Sequence, residues 1–248
     1  ARLADVVLPS ACFAEKEGTF SNTDRRVQRV RKAVDPPGQA WDDWKITCEI
    51  AGRMGYPMNY ESSRQIMEEI SKVTPSYGGI TFDRIEFEGI HWPAPTAEHP
   101  GTPILHREQF AKGKGTFHAI DYIPPAEQAD DEYPIYLTTG RLLYQYHTGT
   151  MTMKSSGIMD IAPECFVEIS PQDAGKYQVG NDTVVDIASR RGTIQARIKI
   201  SMKAVPGTVF IPFHYAAAAA NRLTNAALDP ICGIPEYKVC AVKLSKTA

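Results

Sequence analysis

The sequence predicts a mixed α/β chain, the tail of an α/β domain followed by a closed six-stranded β-barrel. Three observations carry this. Apolar residues recur at helical spacing in two early segments, around residues 41–54 and 62–72. Six short apolar runs then crowd the second half, at 135–138, 166–169, 183–188, 193–200, 208–211 and 239–244. In the fourth of these, Ile194, Ala196, Ile198 and Ile200 alternate with Gln195, Arg197 and Lys199, so one face lies inside and the other in water.

Taken in order, Asp5 to Leu8 read as an apolar strand stopped by Pro9. No initiator methionine and no earlier element stand before it, so the chain reads as a fragment whose strand expects neighbours upstream. A polar stretch from Glu15 to Arg26 leads to Val27 to Val34, and Pro36-Pro37-Gly38 breaks the chain. Trp41, Trp44, Cys48, Ala51 and Met54 then predict a helix with a packed face, closed by Gly55 and Pro57. A second helix starts at Ser62, where Gln65 completes a capping box, and runs to about Lys72. From Tyr77 to Asp131 the pattern breaks into short extended pieces among Gly and Pro, as expected of a linker over a surface; the domain boundary is placed at residues 130/131. Within the barrel, Ser170-Pro171 caps a short helix, Arg190-Arg191-Gly192 makes a turn, and Ala216 to Ala220 make another.

Composition excludes several functions. The chain has 248 residues, 43% hydrophobic content and net charge -2, with no long run of one sign, so neither a nucleic-acid footprint nor a polybasic membrane face is expected. No apolar run is long enough for a membrane span, and the chain reads as soluble and cytoplasmic. Five irregularly spaced cysteines, without a Cys-x-x-Cys pair, read as reduced and mostly structural. His91, His99, His106 and His118 lack metal-ligand spacing and read as surface or packing residues.

The chemistry-bearing stretch is Thr138-Thr139-Gly140-Arg141-Leu142-Leu143-Tyr144-Gln145-Tyr146-His147-Thr148-Gly149-Thr150-Met151-Thr152. Glycines admit an oxyanion to backbone N-H groups, hydroxyls donate to it, and arginine offers phosphate a planar fork. That inventory suits an organic pyrophosphate, although on composition alone a polar connecting loop accounts for it equally well. A second polar set comprises His214, Asn221, Arg222, Thr224, Asn225, Tyr237 and Lys238. Asn221 and Tyr237 suit the edge of a flat heterocycle, while for each one taken singly capping or rim-filling is the better account.

These two sets, in this order, resemble the C-terminal region of the molybdopterin oxidoreductases, and specifically of formate dehydrogenase α subunits. Ala4-Asp5-Val6-Val7-Leu8-Pro9, Glu15-Lys16-Glu17-Gly18-Thr19-Phe20, Asp24-Arg25-Arg26-Val27-Gln28-Arg29, Gly55-Tyr56-Pro57-Met58, Ser189-Arg190-Arg191-Gly192 and Pro235-Glu236-Tyr237-Lys238 also look like stretches of that family. The resemblance implies a double-psi barrel from about Tyr133 onward, and two pterin guanine dinucleotides holding Mo or W. It further implies oxidation of formate to CO2 and electron transfer through [4Fe-4S] clusters, located elsewhere in the complete subunit, to iron-sulfur or flavin partner subunits. Thr139, Gly140, Arg141, Leu142, Leu143, Gln145, Tyr146, His147, Thr148 and Thr150 would lie along this cofactor, with His214, Asn221, Tyr237 and Lys238 across from them. Glu17, Gly18 and Asn22 carry over as cofactor contacts or as braces of their loop. The family's metal-ligating cysteine or selenocysteine would lie upstream of Ala1, so no residue here is expected to be catalytic or to bind the metal. A nitrate reductase, a formylmethanofuran dehydrogenase, or a non-catalytic assembly subunit with the same barrel are the alternatives.

Overall fold

In the computed structural model, which describes residues 2–247, the chain divides into two compact units, Ala1–His118 and Ala119–Ala248.

The first unit is built on a three-stranded antiparallel sheet, β1 (Gly18–Ser21), β2 (Arg26–Val30) and β3 (Ile90–His91), in that spatial order. Two helices accompany it, α1 (Asp43–Arg53) and α2 (Ser63–Val73). The expected cap of α2 is present. Ser62 accepts the Gln65 N-H, while Gln65 reaches back to the N-H of Glu61, one residue beyond the usual reciprocal partner.

Four expectations for this unit need correction. Residues 5–8 form no strand: Val6, Val7 and Leu8 are more than half exposed, and pairing starts only where Ala11 donates to the Trp41 carbonyl and Trp41 to that of Pro9. An apolar run is a strand only if a partner ladder takes its N-H groups, and none does so among the described residues. The polar stretch before Val27 contains β1, because a hairpin half-exposed on both strands hides its period. Residues 77–94 are no surface linker. Ile80, Phe82, Ile85 and Ala94 are buried with Val27 and Met67, and Arg29 lies over the Phe82 ring while pairing with Glu86 at 2.6 Å. Helix α1 has the predicted spacing but no buried residue, since periodicity sets which face is apolar and not whether anything covers it.

The second unit is the expected closed barrel. Its strands are β4 (Ile135–Gly140), β5 (Phe166–Ile169), β6 (Val184–Ser189), β7 (Gly192–Ile200), β8 (Thr208–Pro212) and β9 (Cys240–Lys246), in the closed order β4-β8-β5-β7-β6-β9. Each of the six strands predicted for the barrel is found within two residues of its expected ends. Between them lie α3 (Ser156–Ile161), which is too short to show a period and was not expected, and α4 (Pro171–Tyr177), capped as predicted by Ser170. The interior is filled by Leu137, Val167, Ile169, Val185, Ile187, Ile198, Val209 and Ile211, each with at most 2% exposure, as a small barrel requires.

Two of the strand pairs are parallel, β4 with β8 and β5 with β7, and this fixes what lies at each rim. Gly140 and Pro212 end their strands side by side. Strand β9 runs antiparallel to β4, so it begins, at Cys240, beside that same rim. The start of β5 and the Arg190-Arg191 turn between β6 and β7 fall there too.

Because the Ile187 side chain is fully enclosed, Ile187→Ala should lower the unfolding free energy by about 2–5 kcal/mol through lost burial and a residual cavity. Denaturant titration of both proteins measures it, and a loss well under 1 kcal/mol would mean that the barrel interior is loosely packed.

Candidate functional site

Both polar sets issue from the rim just described. The first occupies the connection from Gly140 to Phe166, and the second the connection from Pro212 to Cys240. Their bases touch: the Thr139 hydroxyl donates to the Tyr237 carbonyl at 2.9 Å, and Phe213 N-H donates to the Gly140 carbonyl. Parallel β4 and β8 send both connections out from this rim, and antiparallel β9, in register with β4 at Leu137 and Cys240, brings the end of the second back beside Thr139, 98 positions earlier in sequence.

The first connection is stiffened from within. Thr152 donates from its hydroxyl to Gln145 Oε1 at 2.6 Å and accepts the Tyr146 N-H at 3.1 Å, which fixes a tight loop from 145 to 152. Gln145 is buried and also reaches the Met159 sulfur. The Thr148 and Thr150 hydroxyls meet at 2.9 Å. His147 and Gly149 both take left-handed backbone conformations, with φ of 50° and 71°. In His147 that conformation is a local strain held by the surrounding bonds. At Gly149 it lets the backbone come down on His214, because a Cβ there would stand 3.3 Å from the imidazole Cδ2 and 2.8 Å from Met153.

His214 is the buried end of the second set. It is 5% exposed, lies against Tyr215 with ring centroids 3.8 Å apart, and its Nε2 has no hydrogen-bond partner. Burial holds its pKa below the ordinary histidine value, so the ring is neutral. Tyr215 donates its hydroxyl to the Ala162 carbonyl at 2.9 Å and, with Leu142, Tyr144 and Cys165, borders a cleft of about 510 Å³. Burial pushes the Cys165 thiol up to about 12 and that of Cys240 to about 11, which keeps both protonated and inert, as expected of structural cysteines. Cys12 and Cys232 are instead exposed and Cys48 half-buried.

The predicted residues therefore divide by exposure. Thr139, Gln145 and His214 are buried, Gly140 and Leu142 half-buried, and Arg141, Leu143, Tyr146, His147, Thr148, Thr150, Asn221, Tyr237 and Lys238 exposed at or beyond the rim. Leu142 packs on the barrel core, whereas Leu143 is 90% exposed, so these neighbours face opposite ways. Sequence reasoning passed over Thr152, Tyr215 and Arg191; the first two are hydroxyl-bearing residues in or beside the stretches already singled out. Glu17 pairs with Arg29 and Asn22 accepts the Arg26 N-H, so in the first unit these residues brace the β1–β2 hairpin that Gly18 opens. Among the described residues no cluster of three His, Cys, Asp or Glu side chains could hold a metal, and no helix is long and apolar enough to cross a membrane.

The residues fit a large, polyanionic, heterocyclic ligand on two counts. The rim joins two cations, several hydroxyls and an amide on exposed positions, and it carries a buried imidazole nitrogen that the protein leaves unbonded, which is costly in a folded chain unless something external completes it.

Comparison with known proteins agrees. Residues 135–241 match the molydopterin dinucleotide binding domain and residues 1–53 the molybdopterin oxidoreductase domain. The F420-dependent formate dehydrogenase 1 subunit alpha of Methanococcus maripaludis is 52% identical over 250 residues, covering 99% of this chain and 37% of that protein. The assimilatory nitrate reductase catalytic subunit of Bacillus subtilis is 40% identical over 257 residues, covering 98% of this chain and 36% of that one. Acetylene hydratase from Pelobacter acetylenicus has a similar structure, with a TM-score of 0.71 and 16% identity over 97% of this chain and 38% of its own. The chain thus spans little more than a third of the length of these relatives.

Two predictions follow from the geometry. Gly149→Ala should destabilise the protein by about 1–2 kcal/mol from its left-handed backbone alone, with a further cost where the methyl meets Met153, measured by denaturant unfolding. For His214 the native pKa lies below the unfolded one, so the unfolded chain takes up the proton first as pH falls below about 6.5, and stability declines through that window. His214→Gln should flatten this part of a melting-temperature profile; an unchanged slope would show that the ring is not held neutral.

Proposed function

This chain belongs to the molybdopterin oxidoreductases, and we propose that it is the cofactor-binding part of a formate dehydrogenase whose pterin dinucleotide lies on the rim where β4, β8 and β9 meet. The observation that carries the placement is the junction of the two polar sets through Thr139 and Tyr237. Arg141, Thr148, Thr150 and Lys238 supply charge and hydroxyl donors for the phosphates. Asn221 and Tyr237 read the edge of a flat ring, Leu143 and Tyr146 offer it apolar faces, and Leu142 anchors their loop to the barrel core. Thr139, Gly140 and Gln145 form the floor and shape the loop. His214, neutral and unbonded at Nε2, completes its hydrogen bond with the ligand, and His147 stands exposed as a proton-carrying group beside it.

When bound, the cofactor supplies the redox chemistry that takes two electrons from formate, leaving CO2 and a proton. The reading includes a bis-molybdopterin guanine dinucleotide with Mo or W, [4Fe-4S] clusters elsewhere in the complete subunit, and iron-sulfur or flavin subunits that take the electrons onward. It also includes a cytoplasmic setting, in which five free cysteines remain reduced. Formate is preferred to nitrate as substrate on the difference between 52% and 40% identity to the two relatives.

The complete native protein should release GMP on acid hydrolysis and contain Mo or W; finding neither ends the cofactor reading. Dye reduction driven by formate then supports the substrate, while dye oxidation driven by nitrate with no response to formate replaces it. Within that protein His147→Ala should reduce turnover or cofactor content by about tenfold, the scale of losing a group that tunes a bound metal centre. Unchanged values for both would remove His147 from the site.

A further inference from the structure

The segment from residue 220 to 239 carries Asn221, Tyr237 and Lys238, yet it has little apolar anchorage of its own. Leu223 is fully buried, but Leu228, Ile231 and Ile234 are between 60% and 91% exposed. Its regular structure is one short turn, Ala220–Arg222, and an isolated bridge between Leu228 and Pro235. What holds it is polar. Arg191 donates from Nε and Nη2 to the Leu223 carbonyl at 2.9 and 2.7 Å, and from Nη2 to Glu127 Oε2 at 2.7 Å. Glu127 also pairs with Arg190, whose guanidinium reaches Asp130 as well. The Leu223 N-H donates to the Ala220 carbonyl, so Arg191 grips the residue that ends the turn carrying Asn221.

A second knot lies alongside. Asn225 Nδ2 donates to the Val239 carbonyl at 3.0 Å and to Glu236 Oε2 at 3.3 Å, and its Oδ1 accepts the Ala227 N-H. Glu236 in turn accepts the N-H of Ala126, the neighbour of Glu127. The two knots thus start from adjacent residues of the stretch that leads into the barrel, and end on the two places where the segment carries its exposed donors.

We propose that Glu127, Arg191, Asn225 and Glu236 form a strap that positions Asn221, Tyr237 and Lys238 for the cofactor, with Arg191 as the central positioning residue. This rests on the reading of the rim as the dinucleotide site. Arginine is the side chain suited to the task, because one planar fork serves the Leu223 carbonyl and the Glu127 carboxylate together, while a lysine ammonium lacks that fixed geometry. Burial opposes ionisation of Glu127, but its hydrogen bonds to Arg191 and Arg190 outweigh this and hold its carboxyl below the usual range, so the strap is charged at neutral pH.

The test uses the complete subunit and reads GMP released per protein, with amide hydrogen exchange over residues 220–239. Arg191→Lys and Glu127→Gln should each lower retained GMP by about tenfold and speed exchange in that segment. Asp173→Asn is the control. Asp173 accepts the Gly207 N-H and the Ser170 hydroxyl at the opposite rim, so its loss destabilises the barrel without touching the strap. Retention of GMP in Asp173→Asn beside its loss in the other two supports the strap. Equal retention in all variants overturns it, as does an equal loss in Asp173→Asn. A wild-type protein without GMP overturns the cofactor reading itself, and the strap's role with it.

Discussion

The arrangement of this site depends on one constraint, the parallel pairing of β4 with β8. Parallel neighbours cannot be joined by a tight turn; each must send its chain away over a long connection from the same rim. The connections that leave Gly140 and Pro212 are those richest in hydroxyls, amides and cations. An antiparallel pairing of the same strands would have put the two polar sets at opposite ends of a closed barrel. The packed interior then matters to function indirectly, since Leu137, Val209 and Ile211 hold the pair in a register that sets Thr139 beside Ile211 and leaves its hydroxyl free for Tyr237.

The rim combines order and vacancy. Gln145, Thr152 and Gly149 define the first loop closely, and Arg191 and Asn225 define the second segment, so few of their internal groups await a partner. The groups left available are of a different kind: exposed donors, and one buried imidazole nitrogen. Such a surface is organised before a ligand arrives, which limits the entropy lost on binding.

Much of the barrel could be read from residue order because its strands alternate cleanly and are punctuated by Gly and Pro. Ile194, Ala196 and Ile198 face inward as their period demands. The first unit was less legible for the converse reason. Its core comes from Ile80, Phe82 and Ile85 in irregular backbone, where no period marks burial, and Arg29 is covered by an aromatic ring and carboxylates. For the site, the types of residue pointed to an anionic heterocyclic ligand, but nothing local could say that Thr139 meets Tyr237. Arg191 was visible only as part of a turn, because its bonds to Leu223 and Glu127 join segments distant in sequence.

The place of β9 between β4 and β6 has a bearing on biosynthesis. The first barrel strand to leave the ribosome is hydrogen-bonded in the native protein to the last, across about a hundred residues, so the ring stays open until Lys246 or its near neighbours have emerged. A truncated translation product would expose two unsatisfied strand edges instead of a slightly smaller barrel. The rim where β4, β8 and β9 meet is therefore complete only after synthesis of the whole barrel, and until then its nascent edges stand unpaired.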